Sequence, residues 1–124
     1  MTARGFRSSG EYTPDNLFAG EFPSVQRMET IVGGKYKRGT VLGKITESGS
    51  YKICEKTDTD GSEKPVAILA EDIDAKLTEV KAAVYHAGEF NFNALIYGKS
   101  FDEDSIREAF QSSCAIFLRK NQEA

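Results

Sequence analysis

A chain of 124 residues reads as one domain, large enough to bury roughly two thirds of the surface its unfolded form exposes, so it needs neither a metal nor a disulfide to fold. Its formal charge of −3, from 16 basic and 19 acidic residues, argues against broad nucleic-acid affinity, because phosphate binding requires a concentrated basic surface. The longest apolar runs, "PVAILA" and "CAIFL", are far below the roughly 20 residues a bilayer requires, and the N-terminus has no apolar signal-peptide core; a soluble protein made in a cytoplasm, with no membrane partner, is expected.

The first 24 residues, "MTARGFRSSGEYTPDNLFAGEFPS", mix Gly, Ser, Pro and charge, with isolated aromatic and aliphatic side chains and no periodicity of helix or strand. They read as a flexible N-terminal arm, residues 1–24, ahead of a single body, residues 25–124. Large apolar side chains at intervals in such a segment suit an arm that docks on another surface and folds there. Tyr12, Pro14, Leu17, Phe18 and Phe22 are the candidate contact residues; Leu17, Phe18 and Phe22 lie between Pro14 and Pro23 in otherwise polar sequence.

From Val25 onward, short strand-like runs alternate with turn signals, as in a β-rich domain. "VQRMETIV" ends at Gly33-Gly34, "TVLGKIT" at Ser48-Gly49-Ser50, and "YKICEK" in the polar loop "TDTDGSEKP" before "VAILAEDI". In "TEVKAAVYHAGEFNF", strand alternation puts Val80, Ala82, Val84 and His86 on one face and Lys81, Ala83 and Tyr85 on the other. Gly88 then marks a bulge or bend. One helix is legible near the C-terminus. Ser100 with Glu103 matches a capping box, Asp102 and Asp104 suit the positive end of the helix dipole, and Ile106, Ala109 and Phe110 form an apolar stripe. "CAIFLRK" reads as the last strand.

Stretches that could carry chemistry fail on spacing. "YKRGTVLGKI" invites a phosphate-binding reading, but from Gly34 the second glycine, Gly39, is followed by Thr40 rather than lysine, and from Gly39 the next glycine, Gly43, comes one residue early. Gly39 is therefore expected in a turn and Gly43 in a strand approached closely by other atoms. In "KTDTDGSEKPVA", setting Gly61 at the sixth position of a calcium loop puts Lys56 and Ala67 where the first and last carboxylates belong, which leaves a solvated turn with Asp60-Gly61 at its tip. The one histidine, His86, leaves zinc clusters and hydrolytic triads incomplete. Glu71 and Asp72 point to opposite faces of a strand. Cys54 and Cys114 lack a CxxC spacing and read as free thiols. Cys54, between Lys52 and Lys56, is expected to be somewhat reactive, and Cys114, aligned with Ile116 and Leu118, buried and inert. No catalytic set, metal site or cofactor site emerges.

Taken in order, "YTPDNLFAGEFP", "YKRGTVLGKIT", "PVAILAEDID", "AGEFNFNALIYG", the helix and "IFLRK" resemble the phage head decoration protein family, the lambda-type capsid-stabilising proteins, from about Tyr12 to Lys120. No single motif is specific; their order and spacing are. The chain departs from the pattern at "QSSCAIFL", where Cys114 stands near a position at which related chains tend to have glycine. The resemblance implies a mainly β domain with one short α-helix near the C-terminus, a compact barrel-like or tulip-like body and a flexible N-terminal arm. It also implies a structural virion protein, not an enzyme. As such it would sit as a homotrimer on the outside of the expanded phage head at local threefold positions, bound to the major capsid protein without touching nucleic acid, and would stabilise the shell against packaged DNA. The rival readings are a small β-barrel that binds a ligand, with Tyr85, His86 and Phe90 at its mouth, and another virion part such as a head-tail connector or tail protein.

Overall fold

A computed structural model describes residues 16–20, 23–111 and 115–119. The strand-like runs of the sequence become β1 (Val25–Ile31), β3 (Val41–Lys44), β4 (Tyr51–Ile53), β5 (Pro65–Leu69), β7 (Val80–Asn91) and β8 (Ala115–Arg119). Two short strands, β2 (Lys35–Tyr36) and β6 (Ile73–Asp74), pair with each other as a separate ribbon that the sequence did not announce. Among the described residues there is one α-helix, α1, spanning Glu103–Gln111, and ahead of it a 3-10 turn at Phe92–Ala94.

Five strands close on themselves in the order β1-β4-β3-β5-β7, with β7 pairing back to β1, and β8 joins the outside of β7 in parallel. The closure between β1 and β4 is a parallel pair at Ile31 and Tyr51, reinforced by the Val32 amide donating to the Tyr51 carbonyl. A barrel of so few strands has a narrow interior, and the side chains there are correspondingly short in part: Ala67, Ala75 and Ala82 pack with Ile31, Leu42, Tyr51, Leu69 and Val84.

The alternation expected along β7 is present, but both of its faces are covered. Ala82 and Val84 fill the barrel, whereas Tyr85 and Phe90 belong to a second core outside it, together with Val41, Ile68, Phe92, Phe101, Ile116 and the Ile106 and Phe110 of α1. Helix α1 therefore lids one outer flank of the barrel, through the stripe its sequence displays. The β1 to β7 register slips between Val25 and Gln26, which pair with Ala87 and Tyr85, so the bulge falls at His86, and Gly88 two residues on has φ +152.

The helix cap differs from the expected one. Asp102 caps α1, its Oδ1 accepting from the Ser105 amide at 2.8 Å while Ser105 Oγ accepts from the Asp102 amide at 2.9 Å. Ser100 is taken by a distant partner instead: its hydroxyl donates to Glu55 Oε1 at 2.6 Å and accepts from the Lys56 amide at 2.8 Å. A long-range carboxylate thus outcompetes the local cap for that hydroxyl.

Candidate functional site

Residues singled out for possible chemistry prove to be committed to the fold. Gly39, at φ +99, turns the chain, with the Thr40 amide donating to the Lys37 carbonyl. Gly43 lies against the backbone of Ser62, leaving no room for a Cβ. In the acidic loop, Asp60 accepts from both the amide and the hydroxyl of Ser62, Glu63 accepts from the Gly61 amide, and Asp58 pairs with Lys52 at 3.0 Å. The hydrogen bonds from Ser62 hold the Asp60 carboxyl below its ordinary range. Among the described residues no three His, Cys, Asp or Glu side chains converge as a metal site would require, and no helix is long and apolar enough to cross a membrane.

Cys54 departs from expectation. The thiol is fully buried, and burial, followed by the nearby negative charges of Glu55, Glu63 and Asp58, pushes its pKa up to about 12. Lys52 does not activate it, because that side chain is engaged with Asp58. Cys114 lies outside the described residues.

The trio Tyr85, His86 and Phe90 does not line a mouth. His86 turns away from the other two, its Nε2 meeting Glu29 Oε2 at 2.8 Å and its ring standing edge-on to Tyr51 at 6.0 Å, so that it ties β7 to β1. Tyr85 and Phe90 are buried, and the space above them is filled by Phe18, which stacks on Phe90 at 5.0 Å and meets Tyr85 edge-on at 5.0 Å.

That contact seats residues 16–20 on the body. Residues 16–20 run antiparallel beside the end of β7: the Ala19 amide donates to the Glu89 carbonyl at 3.0 Å, the Asn91 amide to the Leu17 carbonyl at 2.7 Å, and Asn91 Nδ2 to the Asn16 carbonyl at 3.1 Å. Leu17 is 2% exposed and belongs to the outer core, so Leu17 and Phe18 are both seated against the domain's own body. Tyr12, Pro14 and Phe22 lie outside the described residues. The seat is completed by three residues the sequence reading did not single out, Arg38, Asn91 and Arg119. Arg38 Nη1 donates to Tyr85 Oη and to the Ala70 carbonyl, both at 2.9 Å, with its guanidinium 6.0 Å from the Phe18 ring centre and 5.6 Å from that of Tyr85. Arg119 Nη1 donates to the Ala19 carbonyl at 3.2 Å. The one sequence signal for this seat is Asn91, an amide side chain in the apolar run "FNFNAL" that is fully buried in the structure.

The family model for bacteriophage lambda head decoration protein D matches residues 8–118, from within the leading segment, through its seat on β7, to β8. The chain belongs to that family. No curated protein matches it. Membership makes this a head decoration protein of a bacteriophage, a structural component associated with the capsid, on a fold whose β-rich body and single C-terminal helix are those the sequence led one to expect. For a decoration protein the surfaces of interest are those that can meet another protein; among the described residues the exposed large apolar side chains are Val25, Met28, Leu77, Ile96 and Phe117, of which Val25 and Met28, 41% and 62% exposed, lie together on β1.

Proposed function

We propose that this decoration protein sits as a trimer on the outer surface of the expanded head at local threefold positions and clamps neighbouring capsomers against the pressure of packaged DNA. In this reading the residues ahead of Asn16 add to an exposed sheet edge of the major capsid protein, with Tyr12 and Pro14 among the contacts, and Leu17 and Phe18 hold the root of the arm. Phe22, beyond the root, is a further candidate contact. The observation that carries the reading is the family match over residues 8–118, which spans leading segment and body together. The partly exposed Val25 and Met28 supply apolar surface that a neighbouring copy can cover.

The energetics favour several arms over one. Ordering each arm residue costs on the order of 1–2 kcal/mol of backbone entropy, so a single arm binds weakly unless it gains strand pairing and buried aromatics. A cyclic trimer makes the second and third contacts intramolecular, which raises avidity by roughly 10² to 10⁴ without new interactions.

Because residues 16–20 belong to the folded body, the informative truncation removes residues 1–15. The shortened chain is expected to remain trimeric by light scattering at micromolar concentration and to lose co-sedimentation with empty expanded heads. Undiminished co-sedimentation would remove the arm from the mechanism, and a stable monomer would remove the trimer.

A further inference from the structure

We propose that Arg38 is a positioning residue that fixes the root of the N-terminal arm, by holding Phe18 in the aromatic seat formed with Tyr85 and Phe90, so that the arm begins at residue 15. The proposal rests on the arm reading given above and concerns which residue sets the arm's length and point of departure.

Four observations converge on it. Phe18 makes two close ring contacts, one stacked and one edge-on, with residues of β7. Arg38 spans the seat from the far side: its backbone amide donates to Asp72 Oδ1 at 2.8 Å, and its guanidinium is oriented by Tyr85 Oη and the Ala70 carbonyl over the Phe18 and Tyr85 rings. The backbone on either side of Phe18 is pinned to β7 at Ala19 and at Leu17. Asn16, whose carbonyl accepts from Asn91 Nδ2, is the only non-glycine among the described residues with positive φ, at +53.

The geometric consequence concerns reach. A free segment of 24 residues extends to about 80 Å, whereas one of 15 residues extends to about 50 Å and departs from a fixed point beside Asn91. A shorter leash from a defined origin concentrates the arm near the surface it must find and leaves fewer residues to order on binding. Arg38 thereby acts on shell binding without touching the shell.

The test uses the full chain and the chain starting at residue 16, each with Arg38 intact or replaced as Arg38→Met, and with Phe18→Leu as a second variant that keeps an apolar side chain but removes the ring. Amide exchange is read at Ala19, which donates to Glu89, and at Cys54, which donates to Val41 within the barrel. Both substitutions are expected to speed exchange at Ala19 by about tenfold or more while leaving Cys54 unchanged. Equal acceleration at both amides, or none at Ala19, would overturn the seat. Affinity for empty expanded heads is expected to fall by about tenfold when Arg38→Met is made in the full chain, while the unfolding midpoint of the chain lacking residues 1–15 and its state of association by light scattering stay unchanged by the same substitution. A lowered unfolding midpoint or an altered state of association in the shortened chain, or an unchanged affinity in the full chain, would make Arg38 a general structural residue and overturn the proposal. If removing residues 1–15 leaves head binding unchanged, the arm reading fails independently, and exchange at Ala19 alone then upholds or overturns the seat.

Discussion

Gly43 and Ser62 stand backbone to backbone, so close that a Cβ on Gly43 would fall on the Ser62 carbonyl. The pair brings the loop after β4 across the outside of β3, at the point where the β3 to β5 register slips between Leu42 and Gly43. The obstructing atoms are main chain, so a larger residue cannot be relieved by a rotamer change. Gly43→Ala is therefore expected to destabilise the domain by about 1–3 kcal/mol, the range of overpacking in a close-packed site. Glu47→Ala, on an exposed turn, is expected to stay within about 0.5 kcal/mol of the parent. Denaturant unfolding of the two variants checks the contrast.

Cys54 supplies a chemical test. With a thiol pKa near 12, only about one molecule in 10⁴ carries the thiolate at pH 8, and the sulfur is buried besides. In a Cys114→Ser background, an aromatic disulfide reagent is expected to leave the folded protein unlabelled at pH 8 over hours, and to react stoichiometrically once guanidinium unfolds it. Rapid labelling of the folded protein would contradict the burial.

Leu17 tests whether the root belongs to the body. Its side chain is almost fully enclosed by the outer core, so Leu17→Ala is expected to cost about 2–5 kcal/mol of unfolding free energy. Tyr12→Ala is expected to leave the melting temperature unchanged while weakening attachment to expanded heads. Calorimetry beside co-sedimentation separates the two effects.

Acid sensitivity follows from the helix cap. The backbone amide of Ser105, and then its side chain, hold the Asp102 carboxyl below the ordinary value of 3.8. A carboxyl whose folded pKa is depressed stabilises the fold fully above its unfolded pKa, and that contribution disappears as pH falls through the folded value. Asp102→Asn keeps an acceptor for the cap but removes the titration. Its melting temperature is expected to fall less steeply than that of the parent as pH drops from 5 to 2, and Asp102→Ala is expected to melt a few degrees lower at pH 7.

Much of the architecture was legible because it depends on local pattern. Alternation in "TEVKAAVYHAGEFNF" marks β7, the stripe of Ile106, Ala109 and Phe110 marks α1, and the failed spacing in "YKRGTVLGKI" places Gly39 in a turn and Gly43 against another backbone. The cap was misplaced for a physical reason: Ser100 has the right neighbours, but Glu55, 45 residues away, offers its hydroxyl a charged acceptor. Cys54 looked activated because lysines flank it in sequence, whereas folding turns one of them to Asp58 and seals the sulfur from water.

Residue order alone determined the class of the protein: a mainly β body with one late helix, a leading segment of different composition, and a succession of motifs shared with head decoration proteins. Those features rest on periodicities of a few residues, which sequence displays directly. The tertiary structure decided which of those residues are spent on the body itself. Leu17 and Phe18 look like exposed anchors until β7, β8 and the Arg38 turn come together from distant parts of the chain and form a seat for them. That seat exists only after the barrel has closed, because its walls are neighbours in space and not in sequence.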